Sequence, residues 1–170
     1  MKYSLWLVLP EKIQSELQVV VDHLAATYDS PTFEPHATLV GGIEGEVGAI
    51  EEKMKQLVEG ASELELSLGP VSFSTTYFQS VLVRVNSTAA LMELNLKAKE
   101  IFGLANDVFM PHISLLYGVD SMKTREEVAA KILLSSTKFS VSELVLTPST
   151  SDPKDWHHLA SVRFGNGNLQ

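Results

Sequence analysis

Two copies of the pattern Pro-His-x-Ser/Thr-Leu constrain this chain more than any other feature: Pro35-His36-Ala37-Thr38-Leu39 and Pro111-His112-Ile113-Ser114-Leu115. His112 follows His36 by 76 positions, and the elements around them repeat at nearly the same offset. An apolar run over residues 3–9, stopped by Pro10, reads as a strand, and the run 80–85 answers it. Each is followed by apolar residues at helical spacing: Ile13, Leu17, Val21 and Leu24 within 11–27, and Leu91, Leu94, Ala98 and Ile101 within 88–102. Each histidine motif then opens a short strand, 36–40 or 112–116, ended by Gly41-Gly42 or Gly118. Second helices follow over 46–58 and 124–134, the latter with Thr124 and Glu127 as a capping box. Alternation at Leu64, Leu66 and Leu68 marks a strand that Gly69-Pro70 turns into another over 71–78. Two last strands are expected over 138–146 and 156–164. The expected fold class is α+β, with two β-α-β-α lobes related by a pseudo-twofold. Residues 1–78 and 79–164 are then approximate repeats of one bilobal domain spanning 1–170. Neither lobe is large enough to bury a good core alone.

Residues i and i+2 of a strand share a face, so His36 projects beside Thr38, and His112 beside Ser114. A pseudo-twofold would bring two imidazoles and two hydroxyls to one cleft. Imidazole titrates near neutrality, so one ring can take a proton while the other gives one. The hydroxyls can donate to the non-bridging oxygens of a phosphate held between them. That set suits in-line attack of water on a phosphodiester, with a pH optimum near neutrality. A metal site needs at least three converging ligands, and neither motif supplies a third. No metal and no cofactor are expected. Glu34 shares a strand face with His36, and a carboxylate there would favour the imidazolium. That assigns His36 as general acid and His112 as general base.

With these motifs, the chain resembles the 2H phosphoesterase superfamily. Phe33-Glu34-Pro35-His36-Ala37-Thr38-Leu39, Met110-Pro111-His112-Ile113-Ser114-Leu115-Leu116-Tyr117 and the opening Tyr3-Ser4-Leu5-Trp6-Leu7 are similar to the plant and yeast cyclic phosphodiesterases within it. The resemblance implies a bilobal fold with antiparallel sheets lining a central cleft and helices outside. It implies a metal-independent enzyme opening nucleoside 2′,3′-cyclic phosphates and ADP-ribose 1″,2″-cyclic phosphate. By position, His36 and His112 are the acid–base pair, Thr38 and Ser114 bind phosphate, and Tyr117 sits at the phosphate or its sugar. Plant members carry cysteines near the cleft; this chain has none, so a redox-linked lid is not expected.

Other aromatic and charged residues are weaker candidates. Trp6 in the first strand and Trp156 after a polar loop are candidate base or sugar contacts. His158 shares parity with Trp156 and Val162 and reads as a buried structural histidine. Arg84, the offset partner of Val8, is a candidate neighbour of an anion. The net charge of -8 argues against a phosphate-tracking surface for duplex DNA or long RNA. It weighs against RNA-end processing of the ligase or exonuclease type, and two intact histidines weigh against a purely nucleotide-binding module. The expected partner is a small nucleotide cyclic phosphate. No apolar run is long enough to span a bilayer, and no signal peptide is read, so a cytoplasmic monomer is expected.

Overall fold

The computed structural model describes residues 1–135 and 137–165; position 136 and the last five positions of the expected domain lie outside them. In chain order the elements are β1 (Lys2–Leu7), α1 (Glu11–Tyr28), β2 (Ala37–Glu44), α2 (Val47–Val58), β3 (Leu64–Phe73), β4 (Val81–Val85), α3 (Ala89–Phe102), β5 (His112–Leu116), α4 (Met122–Lys131), β6 (Lys138–Val141), β7 (Glu143–Pro148) and β8 (Ala160–Arg163). All eight strands join one antiparallel sheet in the order β6-β3-β4-β5-β2-β1-β7-β8. The fold is thus α+β, and the duplicated units occupy its centre. Trp6 pairs with Thr38 across β1 and β2, while Leu82 pairs with Ser114 across β4 and β5. Each member of the second pair lies 76 positions after its counterpart in the first.

β2 and β5 meet through the single register pair Ala37 and Ile113, so the sheet is nearly divided at its midline. Strand exchange offsets that weakness. β3 leaves the first unit to pair with β4, and β7 leaves the second to pair with β1. The helices cross-brace in the same sense, with α1 on β5 and α3 on β2. Ile13, Leu17 and Val21 of α1 meet Leu39, Ile113 and Leu115 in one core, each almost without exposure. Burying a side chain of that size contributes about 1.5–3 kcal/mol. The apolar helix stripes therefore hold the two halves together across the seam.

Several strand limits differ from the sequence reading, each for a local reason. β2 runs through Gly41-Gly42 to Glu44, because pairing with β1 resumes beyond a bulge. Gly69-Pro70 is likewise a bulge within β3 and not a turn, and the expected strand 71–78 becomes the end of β3 plus a loop. The expected strand 138–146 breaks at Ser142, because its two parts pair at opposite ends of the sheet. α4 starts earlier than expected: Ser121 is its cap, its hydroxyl accepting from the Thr124 amide, so Thr124 and Glu127 form no capping box. The last strand starts at Ala160, after a 3-10 turn at Pro153–Asp155 that holds Trp156 at its end.

Candidate active site

Both histidines are fixed by the residues just before them. Each follows a proline, which has no amide hydrogen and keeps the preceding residue extended. That geometry turns the carbonyl two positions back onto the ring. His36 Nδ1 lies 2.7 Å from the Glu34 carbonyl oxygen and His112 Nδ1 lies 2.8 Å from that of Met110. A carbonyl only accepts, so both Nδ1 atoms carry the proton and both Nε2 atoms are left for chemistry. The carbonyl two positions back therefore sets the tautomer of each ring.

His36, Thr38, His112, Ser114, Tyr117, Trp6 and Trp156 line one cavity of about 320 Å³. The sequence analysis singled out all seven, and the sheet brings them together where β2 and β5 part. Their surroundings are not symmetric. The Trp6 ring stacks on His36 at 3.5 Å between centroids and 8° between planes. Trp156 stands edge-on to both, 5.4 Å from Trp6 and 5.6 Å from His36. With its face covered by His36 and only 3% of its surface exposed, Trp6 holds the imidazole, while Trp156 is more open. Tyr117 stacks on Phe33 at 3.9 Å.

The electrostatics follow from that packing. Although part of the His36 surface stays open, its ring is packed among aromatic neighbours. Desolvation there pushes its pKa down to about 4, against the Glu34 carbonyl, with His112 and His158 adding to the fall. His112 is also lowered, first by burial and then by Arg84, with the Met110 carbonyl opposing. Burial pushes the Tyr117 phenol well above its ordinary value despite its hydrogen bond with Ser114. Tyr117 is therefore a neutral donor at any working pH.

The place of Glu34 removes the ground on which the sequence analysis assigned the acid and the base. Its carboxylate does not lie on His36; its Oε2 is 3.1 Å from His158 Nε2. Only its carbonyl serves His36. The ground for making His36 the imidazolium is gone, and its lowered pKa leaves it neutral. His158 itself is exposed at the rim and not buried, because strand parity does not extend back beyond Ala160. The two hydroxyls also differ. Ser114 Oγ donates to the Phe78 carbonyl at 2.7 Å, whereas Thr38 lines the cavity with no such bond among the described residues.

Some walls were missed. Ser4, Gln79, Ser149 and Thr150 also line the cavity, beside Phe78, which the sequence already offers as a pocket wall. Ser4 shares β1 parity with Trp6 and could have been found that way; its Oγ lies 2.6 Å from that of Ser149. The loop carrying Phe78 is held by Arg125, which is 3% exposed. Its guanidinium donates to the carbonyls of Ser74, Thr76, Gly118 and Asp120, tying that loop to the chain just after Tyr117. Nothing local in the sequence marks such a role. Among the described residues, no three His, Asp or Glu side chains converge as a metal site would require, and no helix is long and apolar enough to cross a membrane.

Comparison with known proteins agrees in both sequence and fold. The family model for cyclic phosphodiesterase-like proteins matches residues 1–164. A cyclic phosphodiesterase from Arabidopsis thaliana is 23% identical over 172 residues, covering 98% of this chain and 95% of that protein. A putative phosphoesterase from Staphylococcus aureus (strain Newman) is also 23% identical, covering 92% of this chain and 96% of its own. In structure, a protein from Thermus thermophilus superposes with a TM-score of 0.69 at 17% identity, over 96% of this chain and 98% of that one. E. coli LigT complexed with 3′-AMP superposes with a TM-score of 0.60 at 18% identity, over the same shares.

Proposed function

The chain belongs to the cyclic phosphodiesterase-like family and is a phosphodiesterase, and we propose that its substrate is a small nucleotide bearing a cyclic phosphate. The reaction is hydrolysis of a nucleoside 2′,3′-cyclic phosphate to the 2′-phosphate, or of ADP-ribose 1″,2″-cyclic phosphate to the 1″-phosphate. The observation that carries this reading is the pair of imidazoles whose Nε2 atoms are left free in one cavity. LigT, with the same fold, binds 3′-AMP, a ligand of the same chemical class.

In the proposed reaction the phosphate lies between the two histidines. Neutral His36 accepts a proton from water through Nε2 as the water oxygen bonds to phosphorus. The bond from phosphorus to the sugar 3′-oxygen breaks on the opposite side, and that oxygen takes the Nε2 proton of His112. Thr38 and Tyr117 donate to the non-bridging oxygens, where charge builds up. Ser114 joins them by rotating its hydroxyl from the Phe78 carbonyl. The set offers too few ligands to hold a metal firmly, so the reaction needs none. Adenosine 2′,3′-cyclic phosphate should be converted to the 2′-phosphate in excess EDTA, followed by phosphorus NMR. Loss of turnover in EDTA that zinc restores would overturn the metal-free mechanism, and no turnover of either cyclic phosphate would overturn the reading itself.

The lowered pKa values move the expected pH optimum away from neutrality. His36 as base must be neutral, so kcat/KM should fall as pH drops through about 4. His112 as acid must be protonated, so kcat/KM should also fall as pH rises through a value below 6.5. The maximum therefore lies on the acid side of 6.5. Bound phosphate is anionic and favours both imidazolium forms, so the kcat profile should sit alkaline of the kcat/KM profile. The limbs belong to the coupled pair. A kcat/KM maximum above pH 7.5 would contradict the burial of both rings.

A further inference from the structure

Of the three arginines in the chain, Arg125 is occupied by four carbonyls and Arg163 lies 4.0 Å from Glu143. Arg84 has no such partner. It stands on β4 directly opposite His112 on β5 and is half-buried. Among the described residues its one hydrogen-bond partner is the Met110 sulfur, a weak acceptor. A guanidinium has five donor hydrogens, so most of them have no protein partner among the described residues. The chain carries 21 acidic residues against 13 basic ones, yet none of the described ion pairs reaches this cation.

The surroundings look built to receive an anion. Register partners on neighbouring strands share a face, with Cβ atoms about 4.5–5.5 Å apart, so Arg84 projects beside His112. Its charge is felt there, as one cause of the lowered His112 pKa. Beyond it lies an open recess of about 400 Å³ lined by Pro70, Ser72, Arg84, Asn86 and Ser87, with no acidic side chain. The β3 bulge closes on its stem: a Cβ at Gly69 would stand 3.3 Å from the Arg84 Cβ and 2.7 Å from Asn86 Oδ1. The other half has nothing equivalent. Arg84 falls 76 positions after Val8, and His36 is flanked by Trp6 and Trp156.

We infer that Arg84 forms a second anion subsite, which takes a further phosphate group of the same substrate molecule, one sugar away from the phosphate that reacts. Its planar fork matches two phosphate oxygens at once. The inference rests on the proposed function for the position of the reacting phosphate, but its test is a binding measurement that needs no turnover. Titration calorimetry would compare adenosine 2′-monophosphate with adenosine 2′,5′-bisphosphate, and with a dinucleotide ending in the same 2′-phosphate. A charged hydrogen bond of this kind should tighten binding by about 10- to 100-fold. The ratio of dissociation constants should collapse towards one in Arg84→Gln and be partly kept in Arg84→Lys. Because the ratio compares ligands within one variant, a general loss of affinity leaves it unchanged. Tightening by the bisphosphate alone identifies a terminal phosphate as the anion, and tightening by the dinucleotide identifies a phosphodiester. A ratio near one in the wild type, or a preference that survives Arg84→Gln, overturns the subsite. Failure to hydrolyse any cyclic phosphate would instead overturn the proposed function.

Discussion

Replacing either His36 or His112 by alanine should lower kcat/KM on a 2′,3′-cyclic phosphate by about 10²- to 10⁴-fold, the usual contribution of a positioned proton-transfer group. Neither ring can serve for the other. Each Nδ1 is held by its own carbonyl, so each imidazole presents one nitrogen from its own side of the cavity. The double replacement should cost little more than either single one, because residues acting as a unit are not additive. His36 also packs on Trp6, so thermal unfolding of each variant must accompany the kinetics. His112 has no such stack, and its variant separates loss of chemistry from loss of packing. A folded His112→Ala protein within tenfold of the wild type would remove the acid–base pair from the mechanism.

The sequence carries the site well and its edges poorly. The offset of 76 and the period of two suffice to bring His36, Thr38, His112 and Ser114 to one cavity, because strand parity is a local rule that reaches the residue bordering each strand. The same rule fails one step outside them. β2 starts at Ala37, so His36 borders the strand while Glu34 lies beyond Pro35, where parity no longer holds. Its carboxylate instead meets His158, a partner 124 positions away that no local pattern reveals. Gly69-Pro70 reads as a turn by composition, yet pairing on both sides keeps β3 continuous and turns the pair into a bulge. Ser142 carries no signal in the sequence; it becomes a break only because β3 and β1 claim the chain on either side of it. Arg125 and Arg84 differ by their partners: Arg125 reaches the distant Ser74 and Thr76 carbonyls besides the nearby Gly118 and Asp120, and Arg84 reaches a lone sulfur. Contacts of that range decide which cation is structural and which is free.

The two histidines should also respond oppositely to the leaving group. Burial among aromatic rings holds His36 neutral, with its pKa at about 4, which suits a base that must accept a proton from water. His112 is lowered as well, but a phosphate anion between the two favours the imidazolium of the ring not engaged with water. In the proposed reaction the acid is then His112, delivering its proton to the departing sugar oxygen. A catechol cyclic phosphate loses a phenoxide, which leaves with little help from a proton. It should restore most of the rate lost in His112→Ala, so that the deficit of about 10²-fold or more on the nucleoside substrate shrinks towards tenfold. His36→Ala should stay slow on both substrates, since water needs its base whatever departs. Azide or another nucleophile that carries no proton should rescue His36→Ala and leave His112→Ala unaffected on the nucleoside substrate. If the aryl substrate restores His36→Ala instead, the roles are reversed. The neutral ring beside Trp6 would then have to become the acid on binding, its pKa raised by the phosphate far above the value that burial sets.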